Sequence, residues 1–188
     1  MRIIGGNFRG KKIILPIDKK TRPLRDLVKE SIFNLISHSK IFSCVIHGSN
    51  ILDLFSGSGS FGLECYSRGA SKVFFIENYP EVLKVLKKNV KSICKDENCK
   101  IVDKNCFSIF EKKNFFKYKF DIIFIDPPYK EKKINYLLDR IYENKILKNS
   151  GLVIIHRHKK DNVEISNRFK VIDQRSYGIS KIILGTLV

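Results

Sequence analysis

Residues Ile51–Glu64 read ILDLFSGSGSFGLE, and this stretch decides the fold. Ile51–Phe55 is a short, largely apolar run suited to a strand buried on both faces. Gly57, Gly59 and Gly62 follow, with a helical pattern starting at Ser60. Glycine lets backbone approach a ligand closely, and the first turn of a helix presents N–H groups with no partner in the helix. Strand, glycine loop and helix in that order predict a ligand-binding βα unit. Gly57-Ser58-Gly59-x-x-Gly62 formally matches the GxGxxG of dinucleotide sites. Asp53, four positions before the first of these glycines, is foreign to that fingerprint. A carboxylate at a strand's end suits a cation or a hydrogen-bond donor better than a pyrophosphate.

The same rhythm extends in both directions from this unit. Val73–Ile76, Lys100–Val102, Ile122–Ile125 and Leu152–Ile155 are further short strand-like runs. Helical patterns alternate with them over Ser60–Arg68, Pro80–Ile93, roughly Asn105–Phe116, and Lys132–Leu147. In Pro80–Ile93 an apolar stripe of Val82, Leu83, Val85, Leu86, Val90 and Ile93 lies opposite the lysines. Alternating β and α predicts a doubly wound α/β domain, with a mostly parallel sheet and helices on both faces. Phe169–Arg175 and Lys181–Leu187, around the turn at Tyr177-Gly178, predict a C-terminal antiparallel hairpin. At the front, Arg2–Gly6 and Lys11–Leu15 suit a small hairpin. A helix over Asp26–Ile36 follows, entered at Pro23-Leu24, with Leu27, Ile32, Phe33 and Ile36 on its apolar side.

Three strand ends carry further candidates. Glu77 closes the second strand, 18 residues after Gly59, where an acidic residue bonds ribose hydroxyls in nucleoside-binding domains of this kind. Asn105 and Cys106 follow the third strand and can offer an amide and a backbone N–H to an adenine edge. Phe120–Lys130 reads FDIIFIDPPYK, a buried strand ending in Asp126-Pro127-Pro128-Tyr129. Two successive prolines have no N–H for a sheet ladder and stiffen the turn. That turn aims the Asp126 carboxylate, the Pro127 carbonyl and the Tyr129 ring outward at the carboxyl edge of the sheet, where open α/β sheets bind ligands.

The 188 residues suit one domain, at roughly 100–200 residues each. No apolar run approaches the ~20 residues that span a bilayer, and the basic start lacks the apolar stretch of a secretory signal, so no membrane is expected. Thirty-six Lys and Arg against 19 Asp and Glu give a net charge of +17, a field that favours a polyanion such as nucleic acid. Arg2, Arg9, Lys11, Lys12, Lys19, Lys20, Arg22, Arg25 and Lys29 face only Asp18, Asp26 and Glu30, a local net of +6 (nine minus three). The five cysteines, Cys44, Cys65, Cys94, Cys99 and Cys106, include no CxxC pair and are read as reduced cytoplasmic thiols. His156 and His158 flank Arg157, and no nearby carboxylate completes a metal site with them; they are read as a basic surface edge, and no metal is expected.

Asp53, Gly57, Gly59, Glu77 and Asp126-Pro127-Pro128-Tyr129 together resemble the motifs of S-adenosylmethionine-dependent methyltransferases that act on exocyclic amino groups. RIIGGNFRGKK at the start, TRPLRDLVKESIF, the glycine loop and VIDQRSYGISKI near the end extend the resemblance over nearly the whole chain, to the RsmD family. Leu24 stands where that family usually has Thr, and Ser56 where Ala is common. The resemblance implies methylation of a guanine N2 in small-subunit ribosomal RNA; a cytoplasmic monomer acting on naked RNA or on an assembling subunit is expected. It implies a catalytic loop of Asp126, Pro127 and Tyr129, and an S-adenosylmethionine site of Asp53, Phe55, Gly57, Gly59, Glu77, Asn105 and Cys106. Arg9, Lys11, Arg22, Arg25, Lys29, Tyr129 and Lys130 are the expected RNA contacts. Residues 1–45 are expected to form a basic extension packed on a methyltransferase domain of residues 46–188.

Four rivals are weaker. An N6-adenine methyltransferase shares the loop, but a DNA enzyme would need an inserted recognition domain. A protein-glutamine methyltransferase more usually has Asn at position 126. A non-catalytic RNA-binding assembly factor has no use for an intact Asp126–Tyr129 loop. A nicotinamide oxidoreductase leaves that loop unexplained.

Overall fold

Strands β1 (Asn50–Leu54), β2 (Lys72–Glu77), β3 (Cys99–Asp103), β4 (Phe120–Ile125), β5 (Leu147–His158), β6 (Phe169–Tyr177) and β7 (Ser180–Leu187) form one sheet. Their order is β3-β2-β1-β4-β5-β7-β6. The computed structural model describes residues 1–17, 24, 26–38, 45–95, 97–111, 115–161 and 165–188. β1 to β5 pair in parallel, and β7 runs antiparallel to both β5 and β6. The doubly wound sheet and the terminal hairpin are thus as the pattern predicts.

Helices α1 (Asp26–His38), α2 (Ser60–Ser67), α3 (Pro80–Ile93) and α4 (Ile134–Glu143) cover the sheet. Alternation along the buried strands sorts side chains to two layers. Ile51, Val73, Phe75, Ile122, Phe124, Ile154 and Ile182 join α1, α2 and α3 in one core. Leu52, Leu54, Phe74, Ile76, Ile123, Ile125, Ile155 and Ile183 join α4 in the other. Ile3, Ile13, Leu24, Val28, Ile32, Phe33 and Ile36 belong to the first layer, so the basic N-terminal segment is built into the core on its inner face.

Local departures have physical causes. Only a 3₁₀ turn, Ser108–Phe110, appears within the helix expected over Asn105–Phe116; residues 112–114 lie outside the described residues. Phe110, Phe116, Phe74 and Phe120 pack as one aromatic cluster there, and side-chain packing rather than a helical stripe places them. The N-terminal hairpin reduces to a single antiparallel bridge, Arg2 to Lys12. Leu27, expected on the buried side of α1, is exposed, while Lys29 takes a place inside. In α3 the buried face is completed by Asn89, with Val85 only partly covered.

Cys94, at the end of α3, and Cys99, at the start of β3, form a disulfide with Cα atoms 6.3 Å apart, which corrects the reading of all five cysteines as reduced thiols. The turn between α3 and β3 returns the chain within bridging distance. Cys65 and Cys106 are buried thiols outside the disulfide, and Cys44 lies outside the described residues.

Candidate active site

Parallel register fixes which residues meet at the carboxyl edge. Leu54 of β1 pairs with Ile76 of β2 and Ile125 of β4, so the glycine loop, Glu77 and Asp126 emerge side by side. Strand order reverses between β1 and β4, the topological switch point at which such sheets open a crevice. Ile125 also pairs with Ile155 of β5, which sets His156 next to Asp126.

The glycine loop is held in an unusual conformation. Phe55, Gly57 and Gly59 have φ of 59°, 56° and 81°. The left-handed region costs a non-glycine residue energy, and Phe55 is secured in it by its N–H, which donates to Cys106 Sγ at 3.3 Å. Its φ favours glycine at position 59, and a Cβ there would also stand 2.7 Å from Leu86 Cδ1 and displace that methyl group. Gly57 N–H donates to Glu77 Oε2 at 3.0 Å, and Glu77 Oε1 accepts from the N–H groups of Asn78 and Tyr79, each at 2.9 Å. Buried Asn89 donates to Ser58 O of the loop at 2.9 Å and exchanges two bonds with the backbone of Ile14.

Asp53 is 1% exposed, and its Oδ2 accepts the N–H of Gly62 at 3.0 Å. Burial pushes its carboxyl well above the usual aspartate range. The Gly62 bond opposes this, and the charges of Asp126 and Glu77 add to the rise. Asp126 and Glu77 are therefore close enough for their charges to act on Asp53. Burial likewise pushes the Cys106 thiol upward, so it stays a neutral anchor for Phe55 rather than a nucleophile. Asn105 is exposed and its Oδ1 accepts from Phe107 N–H at 2.8 Å, closing the turn after β3.

Two residues hold the Asp-Pro-Pro-Tyr loop, and both come from the stretch read as a basic surface edge. That expectation is corrected: His156 is 6% exposed and Arg157 3%. Arg157 donates to the carbonyls of Pro128 at 3.2 Å, Tyr129 at 3.1 Å and Glu131 at 2.9 Å, while Asp161 neutralises its charge. A rigid, planar donor fork suits three convergent carbonyls. His156 Nδ1 bonds Asp126 Oδ1 at 2.8 Å. Tyr129 sits edge-on to His156 and His158, with ring centroids 6.1 and 5.2 Å apart. Pro127 is buried, whereas Pro128 and Lys130 face solvent. The missed signal is the continuity of LVIIHRH: a buried strand that ends in polar residues does so at the edge where ligands bind.

Lys29 is also corrected. Its side chain is fully buried, paired with Glu64 at 3.6 Å and donating to Arg2 O at 2.6 Å, so it cannot reach a phosphate. Arg9 and Lys11 are exposed, as is Lys12; Arg22 and Arg25 lie outside the described residues.

Glu77 and Asp126 beside the glycine loop, with Asp53 buried against Gly62, suit a ligand that carries positive charge and hydroxyl groups. S-adenosylmethionine has both, in its sulfonium and α-amino groups and its ribose diol. Strand order and carboxyl edge together put the protein among the Rossmann-like methyltransferases that use this cofactor. More narrowly, the chain belongs to the family of ribosomal RNA small subunit methyltransferase D, whose model, described as Conserved hypothetical protein 95, matches residues 1–186. The Haemophilus influenzae enzyme of that name is 32% identical over 180 residues, 95% of this chain and 90% of its own length. The Escherichia coli K12 enzyme is 32% identical over 155 residues, 82% of this chain and 73% of that one. The solved structure of the Escherichia coli protein yhhF superposes with a TM-score of 0.82 at 28% identity, covering 100% of this chain and 97% of that one. SMU.776, solved in complex with SAH, shares the fold at a TM-score of 0.64 and 18% identity, over 85% of this chain and 48% of that one. Methylation of ribosomal RNA is the activity that membership assigns. Among the described residues no helix is long and apolar enough to cross a membrane.

Glu77 supplies the first test of the cofactor site. Glu77→Ala removes the strand-end carboxylate and the partner of Gly57 N–H, and is expected to weaken S-adenosylmethionine binding by about 1–3 kcal/mol. Calorimetric titration measures it; unchanged affinity takes Glu77 out of the site.

Proposed function

We propose that the protein transfers a methyl group from S-adenosylmethionine to the exocyclic N2 amino group of a guanine in small-subunit ribosomal RNA. The observation that carries this reading is the Asp-Pro-Pro-Tyr loop, held by Arg157 and His156 beside the glycine loop at the switch point. Bound S-adenosylmethionine supplies a methyl group already activated on a sulfonium sulfur. The guanine amino group is a weak nucleophile because its lone pair is delocalised into the ring. Asp126 and the Pro127 carbonyl accept its two hydrogens, which localises the lone pair and aims it along the line to the methyl carbon. Orientation of this kind contributes on the order of 7–11 kcal/mol where reacting atoms are held about 3 Å apart. Tyr129 stacks on the target base, worth about 1–3 kcal/mol. The base is presented outside a stacked helix, since loops of this size do not reach into one.

Digestion of ribosomal RNA to nucleosides, after incubation with labelled S-adenosylmethionine, tests the reading. N2-methylguanosine is the expected product; label in N6-methyladenosine overturns the guanine assignment.

The N-terminal segment serves as the RNA grip through its outer face, where Arg9, Lys11 and Lys12 are exposed. Neutralised phosphates release counterions, so affinity depends on salt, with a slope of roughly 0.7–0.9 per contact. Arg9→Ala, Lys11→Ala and Lys12→Ala combined are expected to lower RNA affinity and flatten the salt slope by about 2–3, with cofactor affinity unchanged. Filter binding across a salt series measures both, and an unaltered slope assigns these residues to a solvated face.

A further inference from the structure

The second nitrogen of His156 leads away from the loop, to Ser180. Nε2 lies 2.9 Å from Ser180 Oγ, while Nδ1 lies 2.8 Å from Asp126 Oδ1. Three strands contribute to this line: Asp126 follows β4, His156 is in β5 and Ser180 opens β7. By strand parity the three share the sheet face of Phe124, Ile154 and Ile182, all core residues of one layer. His156 and Ser180 are buried, whereas the Asp126 side chain keeps 20% of its surface exposed. Among the described residues Asp126 Oδ2 has no hydrogen-bond partner.

An ionised carboxylate only accepts hydrogen bonds, so Nδ1 must carry the hydrogen that meets Asp126. In a neutral imidazole Nε2 is then the acceptor, and the Ser180 hydroxyl donates to it. One arrangement thus satisfies both ring nitrogens, the hydroxyl and one carboxylate oxygen. The arrangement pins one oxygen of Asp126 and leaves the other for the target amino group.

We propose that His156, held in its Nδ1–H tautomer by Ser180, is a positioning residue that orients Asp126 for methyl transfer. It touches neither substrate nor cofactor; it fixes the rotamer of the carboxylate that does. Arg157, the next residue, holds the backbone of the same loop, so β5 secures both the main chain and the reacting side chain. In the transfer itself the amino nitrogen forms the new bond to the methyl carbon. The carbon–sulfur bond breaks with its electron pair on sulfur, and the amino group releases one proton toward Asp126 Oδ2.

This inference rests on the reading of Asp126 as the acceptor of the target amino group, and the experiment separates the two. His156→Phe fills the space without a donor, whereas His156→Asn puts an amide N–H near the place of Nδ1. The expected result is a kcat at least tenfold below wild type for His156→Phe and within threefold of it for His156→Asn. KM for RNA and cofactor affinity should stay within twofold in both. Equal kcat in the two variants, whether high or low, overturns the positioning role. Should His156→Phe fail to fold, nitrogen NMR of the wild-type imidazole decides: a protonated Nδ1 and bare Nε2 are expected, and the opposite tautomer overturns the proposal. Absence of methylated guanine with the wild-type protein would instead defeat the reading of the reaction.

Discussion

Asp126→Ala is expected to abolish methyl transfer while RNA and cofactor still bind. In the proposed reaction its carboxylate orients the amino group at the moment of attack, and an interaction realised only in the transition state appears in kcat rather than in affinity. A loss of at least about 100-fold is expected, which corresponds to about 2.7 kcal/mol. Single-turnover transfer from labelled S-adenosylmethionine measures it, with filter binding as the control. Turnover within about tenfold of wild type, a loss under ~1.4 kcal/mol, defeats this mechanism. The structure adds a reason why binding should survive: Arg157 holds the loop through the carbonyls of Pro128, Tyr129 and Glu131, none of which depends on the Asp126 side chain.

Glu64→Gln is expected to cost stability rather than activity. Glu64 is fully buried and accepts the N–H groups of Ile4 and Gly5 at 2.8 Å each and Arg68 Nε at 2.9 Å, besides pairing with Lys29. Removing one partner of a buried ion pair costs up to about 3–5 kcal/mol, since it leaves Lys29 only the more distant, half-exposed Asp26 at 3.8 Å. For a chain of this size that lowers Tm by roughly 2–4 °C per kcal/mol. The loss should depend on pH. Burial lowers the Lys29 ammonium below the ordinary lysine value of 10.5, with Glu64 the largest opposing influence. The folded state therefore sheds this proton at lower pH than the unfolded state, which binds more protons in between. Stability due to Lys29 rises with pH across that window. Without the Glu64 charge the lysine value falls further and the window widens. The gap between variant and wild type should then narrow as pH rises from 7 toward 10. A gap that is constant with pH would show that Lys29 is not the group left uncompensated.

Both predictions turn on residues that the chain order hides to different degrees. Asp126 is legible because Pro127 and Pro128 end a buried strand abruptly, and such an end can be read without knowing its neighbours. Lys29 is not. It sits in a helix rich in charge, and a lysine opposite a glutamate 35 positions away looks the same in sequence as one in water. The buried pair arises because α1 packs on α2, so Lys29 meets Glu64 across a helix contact. Asn89 is hidden in the same way. A polar residue beside Val90 on an apolar stripe is ambiguous until the backbone of Ile14 is found against it.

The sequence by itself determined the α/β alternation, the terminal hairpin and the strand ends that carry Asp53, Glu77 and Asp126. These follow from local rules: buried runs of β-branched residues, a helical stripe, glycines after a strand, prolines that cannot pair. Tertiary structure alone decided which strand ends adjoin, that His156 and Arg157 serve the loop, and that Lys29 is a core residue. Those facts depend on strand order and register, which join Ile125 to Ile155 and His156 to Ile182 across long stretches of chain. Side chains thus acquire their hydrogen-bond partners from neighbours that are near only after folding. A histidine after a buried strand is an edge residue or an anchor according to what the next strand brings beside it. Here β4 brings Asp126 and β7 brings Ser180.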